Sequence, residues 1–146
     1  MNSPLTGKTI LVTAGPTHEK IDPVRYIGNK SSGKMGFAIA SACADRGATV
    51  ILVTGPVGLS IDTSRVKRID VTTAAEMFEE SVKNFHRCDA AIMTAAVADY
   101  TPAFPRDEKM KRKDDHLNIE LKPTKDIAGE LGRIKKREQV LAGFAL

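Results

Sequence analysis

The turn Ser31-Ser32-Gly33-Lys34-Met35-Gly36 is the first stretch with usable chemistry. Free backbone amides and the positive end of a helix dipole attract an anion. The glycines would let a phosphate approach the main chain, and the hydroxyls would add donors. The same residues would equally serve a serine cap with glycines packed tightly on a sheet, so both readings stay open. Gly28 to Met35 nearly spells a P-loop, but Met35 occupies the position that needs a magnesium-binding hydroxyl. The segment also lies well past its strand, whereas a P-loop follows its strand directly. Gly33-x-x-Gly36 lacks the first glycine of the dinucleotide fingerprint. Neither motif is assigned.

A second cluster runs Arg106-Asp107-Glu108-Lys109-Met110-Lys111-Arg112-Lys113-Asp114-Asp115, charged everywhere except Met110. Such a run is a solvated surface or, above a cleft, a flap. A lysine-rich flap could close on a triphosphate, neutralise charge on departing pyrophosphate and exclude water. Asp99, after Ala95-Ala96-Val97-Ala98, either aims a carboxylate at that cleft or caps the turn into Tyr100-Thr101-Pro102. Cys43 and Cys88 have no metal-ligand spacing and read as buried thiols. His18, His86 and His116 are scattered, so no protein-built metal site is expected.

These groups need elements to hold them. A β-branched run predicts a strand at 8–14, its pattern repeats at 48–54, and 65–71, 89–94 and 139–146 are further strand candidates. Met35, Ile39 and Ala42 predict one face of a first helix that Gly47 stops. Thr73-Ala74-Ala75-Glu76 is a capping box opening a second, with Ala74, Met77, Phe78, Val82 and Phe85 on one face. Ile127, Leu131 and Ile134 mark a third. Alternation of this kind predicts an α/β, Rossmann-like three-layer fold with a mostly parallel sheet. Right-handed crossovers favour the strand order 3-2-1-4-5, with a crevice where strands one and four end. Residues 15–31 and the flap at 98–116 are long irregular connections, and both are expected to overhang that crevice.

Composition limits the partners. The 146 residues suit one domain spanning 1–146, with 42% hydrophobic and 27% charged residues. A net charge of +4 suits a polyanionic substrate, while the lack of Trp and of interleaved aromatic and basic patches argues against nucleic acid. No apolar run approaches membrane-spanning length, and Met1-Asn2-Ser3-Pro4 opens no apolar signal region, so a cytoplasmic protein is expected.

Several longer segments resemble a known family. Thr13-Ala14-Gly15-Pro16-Thr17, Asp22-Pro23-Val24-Arg25-Tyr26-Ile27, Asn29-Lys30-Ser31-Ser32-Gly33-Lys34-Met35-Gly36, Ala95-Ala96-Val97-Ala98-Asp99-Tyr100, Glu108-Lys109-Met110-Lys111 and Lys122-Pro123-Thr124-Lys125-Asp126-Ile127 are similar, in this order, to the signatures of phosphopantothenoylcysteine synthetase. The bacterial CTP-dependent type forms the synthetase domain of bifunctional coenzyme A biosynthesis flavoproteins. The resemblance implies a ligase joining 4'-phosphopantothenate to L-cysteine through an acyl-cytidylate, with CTP as co-substrate and magnesium carried on its phosphates. It implies that Asn29 holds the intermediate and Lys109 meets the nucleotide phosphates. Gly15, Ser31, Gly33 and Gly36 would cradle the nucleotide. Asp99, Ala95 and Ala96 would form a substrate-contacting strand end, with Asp99 also at the nucleotide. Arg25 would reach the phosphopantothenate phosphate from a neighbouring subunit. Lys125, Asp126, Ile127, Ala128 and Phe144 would lie near the base.

It further implies a homodimer in the full-length protein and a fused or paired phosphopantothenoylcysteine decarboxylase domain, which alone would bring FMN. Relatives continue past the position of Leu146, so a C-terminally shortened fragment is expected. Gly28 departs from the serine expected before Asn29. Two other readings are an NAD(P)-binding Rossmann-type oxidoreductase, which the missing fingerprint disfavours, and a non-catalytic module binding an acidic partner or nucleic acid through the basic loop.

Overall fold

The computed structural model describes residues 3–62 and 64–145. In chain order it contains β1 (Thr9–Ala14), β2 (His18–Lys20), β3 (Tyr26–Gly28), α1 (Lys34–Asp45), β4 (Thr49–Thr54), β5 (Val66–Asp70), α2 (Ala74–Phe85), β6 (Ala90–Met93), β7 (Tyr100–Pro102), β8 (Leu121–Pro123), α3 (Ile127–Ile134) and β9 (Val140–Gly143). Five strands form one parallel sheet in the order β5-β4-β1-β6-β9. Counted along the sheet strands alone, this is the expected 3-2-1-4-5. The fifth strand ends at Gly143, short of the predicted 139–146, and Leu146 lies outside the described residues, as do Met1 and Asn2.

Alternation along β1 builds two cores. Ile10, Val12 and Ala14 pack with Phe37 and Ala40 of α1, together with Val50 and Leu52. Leu11 points the other way, into Ile51, Val53, Met77, Phe85, Ala91 and Leu131 beneath α2 and α3. Burial of each large side chain contributes about 1.5–3 kcal/mol, and β1 feeds both layers. The α2 capping box forms as its sequence implies. Glu76 N donates to Thr73 Oγ1 at 3.2 Å, and Thr73 N donates to Glu76 Oε2 at 3.1 Å.

The first helix buries a different face from the predicted one. Gly36, Phe37, Ala40 and Cys43 meet the sheet, whereas Met35 is 47% exposed and Ile39 and Ala42 are half-buried. The helix lies too close to β1 for long side chains. A Cβ on Gly36 would sit 2.5 Å from Ala14 Cβ and from Thr94 Oγ1. Small residues, Gly36 and Ala40, therefore take the closest approach, Phe37 packs beside it, and the apolar Met35 and Ile39 fall at its margin.

Both long connections contain structure that the sequence pattern did not reveal. Within 15–31, β2 and β3 pair as an antiparallel hairpin, and His18 stacks on Tyr26 with ring centroids 3.8 Å apart. The hairpin is fastened to the body: His18 N donates to Thr72 O, buried Glu19 accepts from Ala74 N at the start of α2, and Ala98 N donates to Thr17 Oγ1. Within 98–116, Tyr100–Pro102 forms β7, which pairs with β8. The irregular stretch between these strands is residues 103–120. Among the described residues no helix is long and apolar enough to cross a membrane.

Candidate active site

Pairing between β1 and β6 continues beyond both strands. Thr94 N donates to Thr13 O, Ala96 N donates to Gly15 O at 2.8 Å, and Pro16 bridges Ala96. Gly15 and Gly33 hold φ of 74° and 75°, in the left-handed region that favours glycine. They also touch: a Cβ on Gly33 would lie 3.5 Å from Gly15 Cα. Gly33 caps α1 with backbone alone. Ser31 Oγ accepts from Gly33 N at 3.3 Å and Ser32 Oγ from Lys34 N at 3.4 Å. The amides of Met35 and Gly36 have no acceptor among the described residues, so the turn keeps donors free beside the ends of β1 and β6. Gly36 performs the tight packing that was the plainer reading of this motif. The packing reading therefore holds, and the free donors lie beside it.

A cavity of about 490 Å³ opens at the C-terminal ends of β1, β6 and β9. It is lined by Thr13, Met93, Ala95, Val97, Asp99, Thr124, Lys125, Asp126, Ile127, Ala128, Gly143, Phe144 and Ala145. Asp126 caps α3, accepting from Gly129 N at 2.9 Å. Thr124 ties this segment to the β6 exit, its N donating to Asp99 O and its hydroxyl to Ala98 O. Lys125 Nζ sits 4.8 Å from the Phe78 ring centroid, a cation–π contact that places the ammonium without using its hydrogen-bond donors. Phe144 is 58% exposed and offers a face on which a planar base could stack. Asn29 joins the rim, donating from Nδ2 to Val97 O at 3.1 Å.

The charged segment folds against the β2–β3 hairpin. Arg106 N donates to Ile21 O at 2.9 Å, Lys20 Nζ meets Asp107 Oδ1 at 3.0 Å, and Met110 N donates to Asp22 Oδ2 at 3.1 Å. The Asp22 carboxylate has no solvent exposure, and Arg25 Nη1 donates to it at 2.7 Å. Burial alone would raise the Asp22 pKa. The amides of Val24, Met110 and Arg25, with the Arg25 guanidinium, outweigh that and lower it to about 2. Arg25, Arg106 and the 110–117 stretch line a second cavity, of about 760 Å³.

The expected residues therefore fall into three groups. Ala95, Asp99, Lys125, Asp126, Ile127, Ala128 and Phe144 share one cavity. Gly15, Ser31, Gly33, Gly36 and Ala96 form the turn and ladder beside it, joined through Asn29 and Val97. Arg25 belongs with the flap, and Lys109 lines neither cavity. Sequence reasoning missed Thr13, Met93, Val97, Thr124, Gly143 and Ala145, which are strand-end or linker positions. The strand-order rule could have indicated them. It also passed over Asp22, although Asp-Pro-x-Arg is a turn signal in its own right. Cys43 and Cys88 are buried as expected, and burial raises both thiols, Cys88 to about 11.

A Rossmann-like α/β domain with a crevice at its strand ends is the class this fold defines. Residues 5–146 match the family described as the DNA/pantothenate metabolism flavoprotein C-terminal domain, and the chain belongs to that family. Among curated proteins it is 50% identical over 144 residues to the coenzyme A biosynthesis bifunctional protein CoaBC of Bacillus subtilis (strain 168), covering 99% of this chain and 35% of that protein. It is 54% identical over 143 residues to a cysteine/cysteine sulfinic acid decarboxylase of an unknown prokaryotic organism, covering 98% of this chain and 40% of that protein. The chain thus spans well under half the length of these relatives. The crystal structure of the C-terminal domain of a coenzyme A biosynthesis bifunctional protein CoaBC superposes with a TM-score of 0.85 at 46% identity, covering 99% of this chain and 67% of that one. The synthetase-domain resemblance carried by the motifs leads to this same family.

Proposed function

We propose that this domain is the CTP-dependent ligase of coenzyme A biosynthesis that joins 4'-phosphopantothenate to cysteine. The observation carrying it is the single cavity at the ends of β1, β6 and β9, which gathers Asp99, Lys125–Ala128 and Phe144 beside a helix entrance with free amides. In the first step a carboxylate oxygen of phosphopantothenate attacks the α-phosphorus of CTP. The bond to the bridging oxygen breaks, and pyrophosphate leaves with that electron pair. In the second step the cysteine amine attacks the acyl carbon, CMP departs from it, and the amine gives up a proton. The protein's part is to position partners and stabilise charge. The turn at Gly15, Ser31, Gly33 and Gly36 holds phosphate oxygens. Asn29 holds the acyl-nucleotide with an amide that donates and accepts without competing as a nucleophile. Lys109 steadies the phosphates, Arg25 binds the distal phosphate, and Ala95, Ala96 and Asp99 shape the substrate end.

Magnesium would arrive on the triphosphate, and the Asp99 carboxylate, exposed in the cavity, is a hard oxygen donor of the type it takes. Its chemistry there is to neutralise phosphate charge. The same reading includes a cytoplasmic homodimer in which Arg25 serves the neighbouring site, and a fused or paired decarboxylase domain carrying FMN.

A pyrophosphate-release assay with phosphopantothenate, comparing CTP with ATP, tests the proposal. Release should require phosphopantothenate and favour CTP, and Lys109→Gln should slow it. No release with either nucleotide, or a larger melting shift with NADPH than with CTP and magnesium, overturns it.

A further inference from the structure

The Asp22 carboxylate divides its work between two oxygens. Oδ1 accepts from Val24 N at 2.8 Å and Arg25 N at 2.7 Å, which closes the turn between β2 and β3. Oδ2 accepts from Arg25 Nη1 at 2.7 Å and from Met110 N at 3.1 Å. A carboxylate has about four lone-pair sites, and here four donors fill them. The Met110 amide belongs to the peptide bond that joins it to Lys109, so Oδ2 grips the chain at the residue proposed to meet the nucleotide. Arg25 Nη1 also lies 3.5 Å from Met110 O, which makes carboxylate, guanidinium and flap peptide a closed set.

The platform beneath them is fastened to the body of the domain. Glu19 and His18 fasten the hairpin to the start of α2, and Asp22 itself is shielded from solvent. The flap's other ties to the hairpin are the Arg106 N–Ile21 O bond and the Lys20–Asp107 pair, whose side chains are 45% and 100% exposed.

We propose that Asp22 is a positioning residue for the ligase: one buried carboxylate locks Arg25 and the Lys109–Met110 peptide into a fixed relative position, so that substrate-phosphate binding and flap placement move together. This rests on the ligase reading above. Asp22 touches no substrate and acts through Arg25 and Lys109.

Asp22→Asn separates the two oxygens' duties. The amide can keep Oδ1 in the turn, while its NH2 replaces Oδ2 and faces two donors. In the native full-length protein carrying this change, the far-UV circular dichroism should match wild type. Tryptic cleavage mapped to Lys109, Lys111, Arg112 and Lys113 should accelerate roughly tenfold as the flap opens. The KM for phosphopantothenate should rise several-fold and kcat should fall, whereas a mere loss of folded protein would lower kcat alone. Wild-type cleavage rates, or faster cleavage with both kinetic constants unchanged, overturn the proposal. If Asp22→Asn does not fold, Met110→Pro removes the flap donor on a partly exposed loop and, because trypsin does not cut before proline, takes Lys109 out of the readout. It must then show the faster cleavage at Lys111, Arg112 and Lys113, and normal cleavage there overturns the clasp. Absence of pyrophosphate release from the wild type instead sinks the ligase reading, and the cleavage pattern alone then decides the clasp.

Discussion

Asn29 shows how little separates a structural from a chemical role. Its Nδ2 donates to Val97 O on the cavity rim, and its carbonyl oxygen has no donor among the described residues. Asn29→Asp swaps that donor for an acceptor facing a carbonyl and adds negative charge where the proposed ligase would hold its anionic substrates. Amide formation in single turnover should fall ten- to a hundredfold, about 1.4–2.8 kcal/mol, with the melting temperature little changed. The two thiols illustrate the opposite case. Both are buried, with Cys88 held at about 11 chiefly by burial and Cys43 likewise raised. Neither should react with a disulfide reagent at pH 8 in the native state, and both should react in denaturant. Their burial was readable, because Cys43 sits in an Ala-rich helical pattern and Cys88 just ahead of a strand. The role of Asp22 was not, since nothing local shows that a residue 88 positions away donates to it.

At the scale of elements, legibility followed pattern length. The sheet strands β1 and β4 declared themselves through β-branched runs, β6 and β9 only as short apolar runs, and α2 through its capping box. The three-residue strands β2, β3, β7 and β8 are too short to show alternation, and Pro102 and Pro123 argue against strand by composition. Tertiary pairing decides them. The face of α1 was misread for a related reason: a helix apolar on most sides gives periodicity little to choose between, and proximity to β1 made the choice. Gly36→Val puts branched carbons where even one carbon would sit 2.5 Å from Ala14 Cβ. It should cost at least about 2 kcal/mol by thermal or denaturant unfolding, since a strand main chain cannot yield as a flexible side chain could. The β2–β3 turn has its own acid signature. The folded pKa of Asp22 is depressed to about 2 from an ordinary 3.8, so its stabilisation is complete above that ordinary value and is lost as pH falls towards 2. The stability difference between wild type and Asp22→Asn should be constant above pH 4 and shrink in acid titrations below it.

Across the whole molecule, chain order and handedness were enough to set β1 beside β6 and so to locate the crevice. Asp99 was legible there as the exit of β6, whereas Lys125–Ala128 and Phe144 came to the same crevice only through the family resemblance; the cavity at the strand ends holds all of them. Lys109 was harder, because its path is set by contacts with a hairpin the sequence pattern did not disclose. The β7–β8 pair has a consequence for how this domain can diverge. It staples both ends of residues 103–120, so the length of that stretch is almost decoupled from the core. Four Gly/Ser residues inserted between Asp114 and Asp115 add only about 0.2 kcal/mol of closure entropy. The melting temperature of such a variant should stay within a degree of the parent, whatever happens to turnover. Evolution can therefore lengthen or trim this tip to suit a different anion while the scaffold stays unaware of the change.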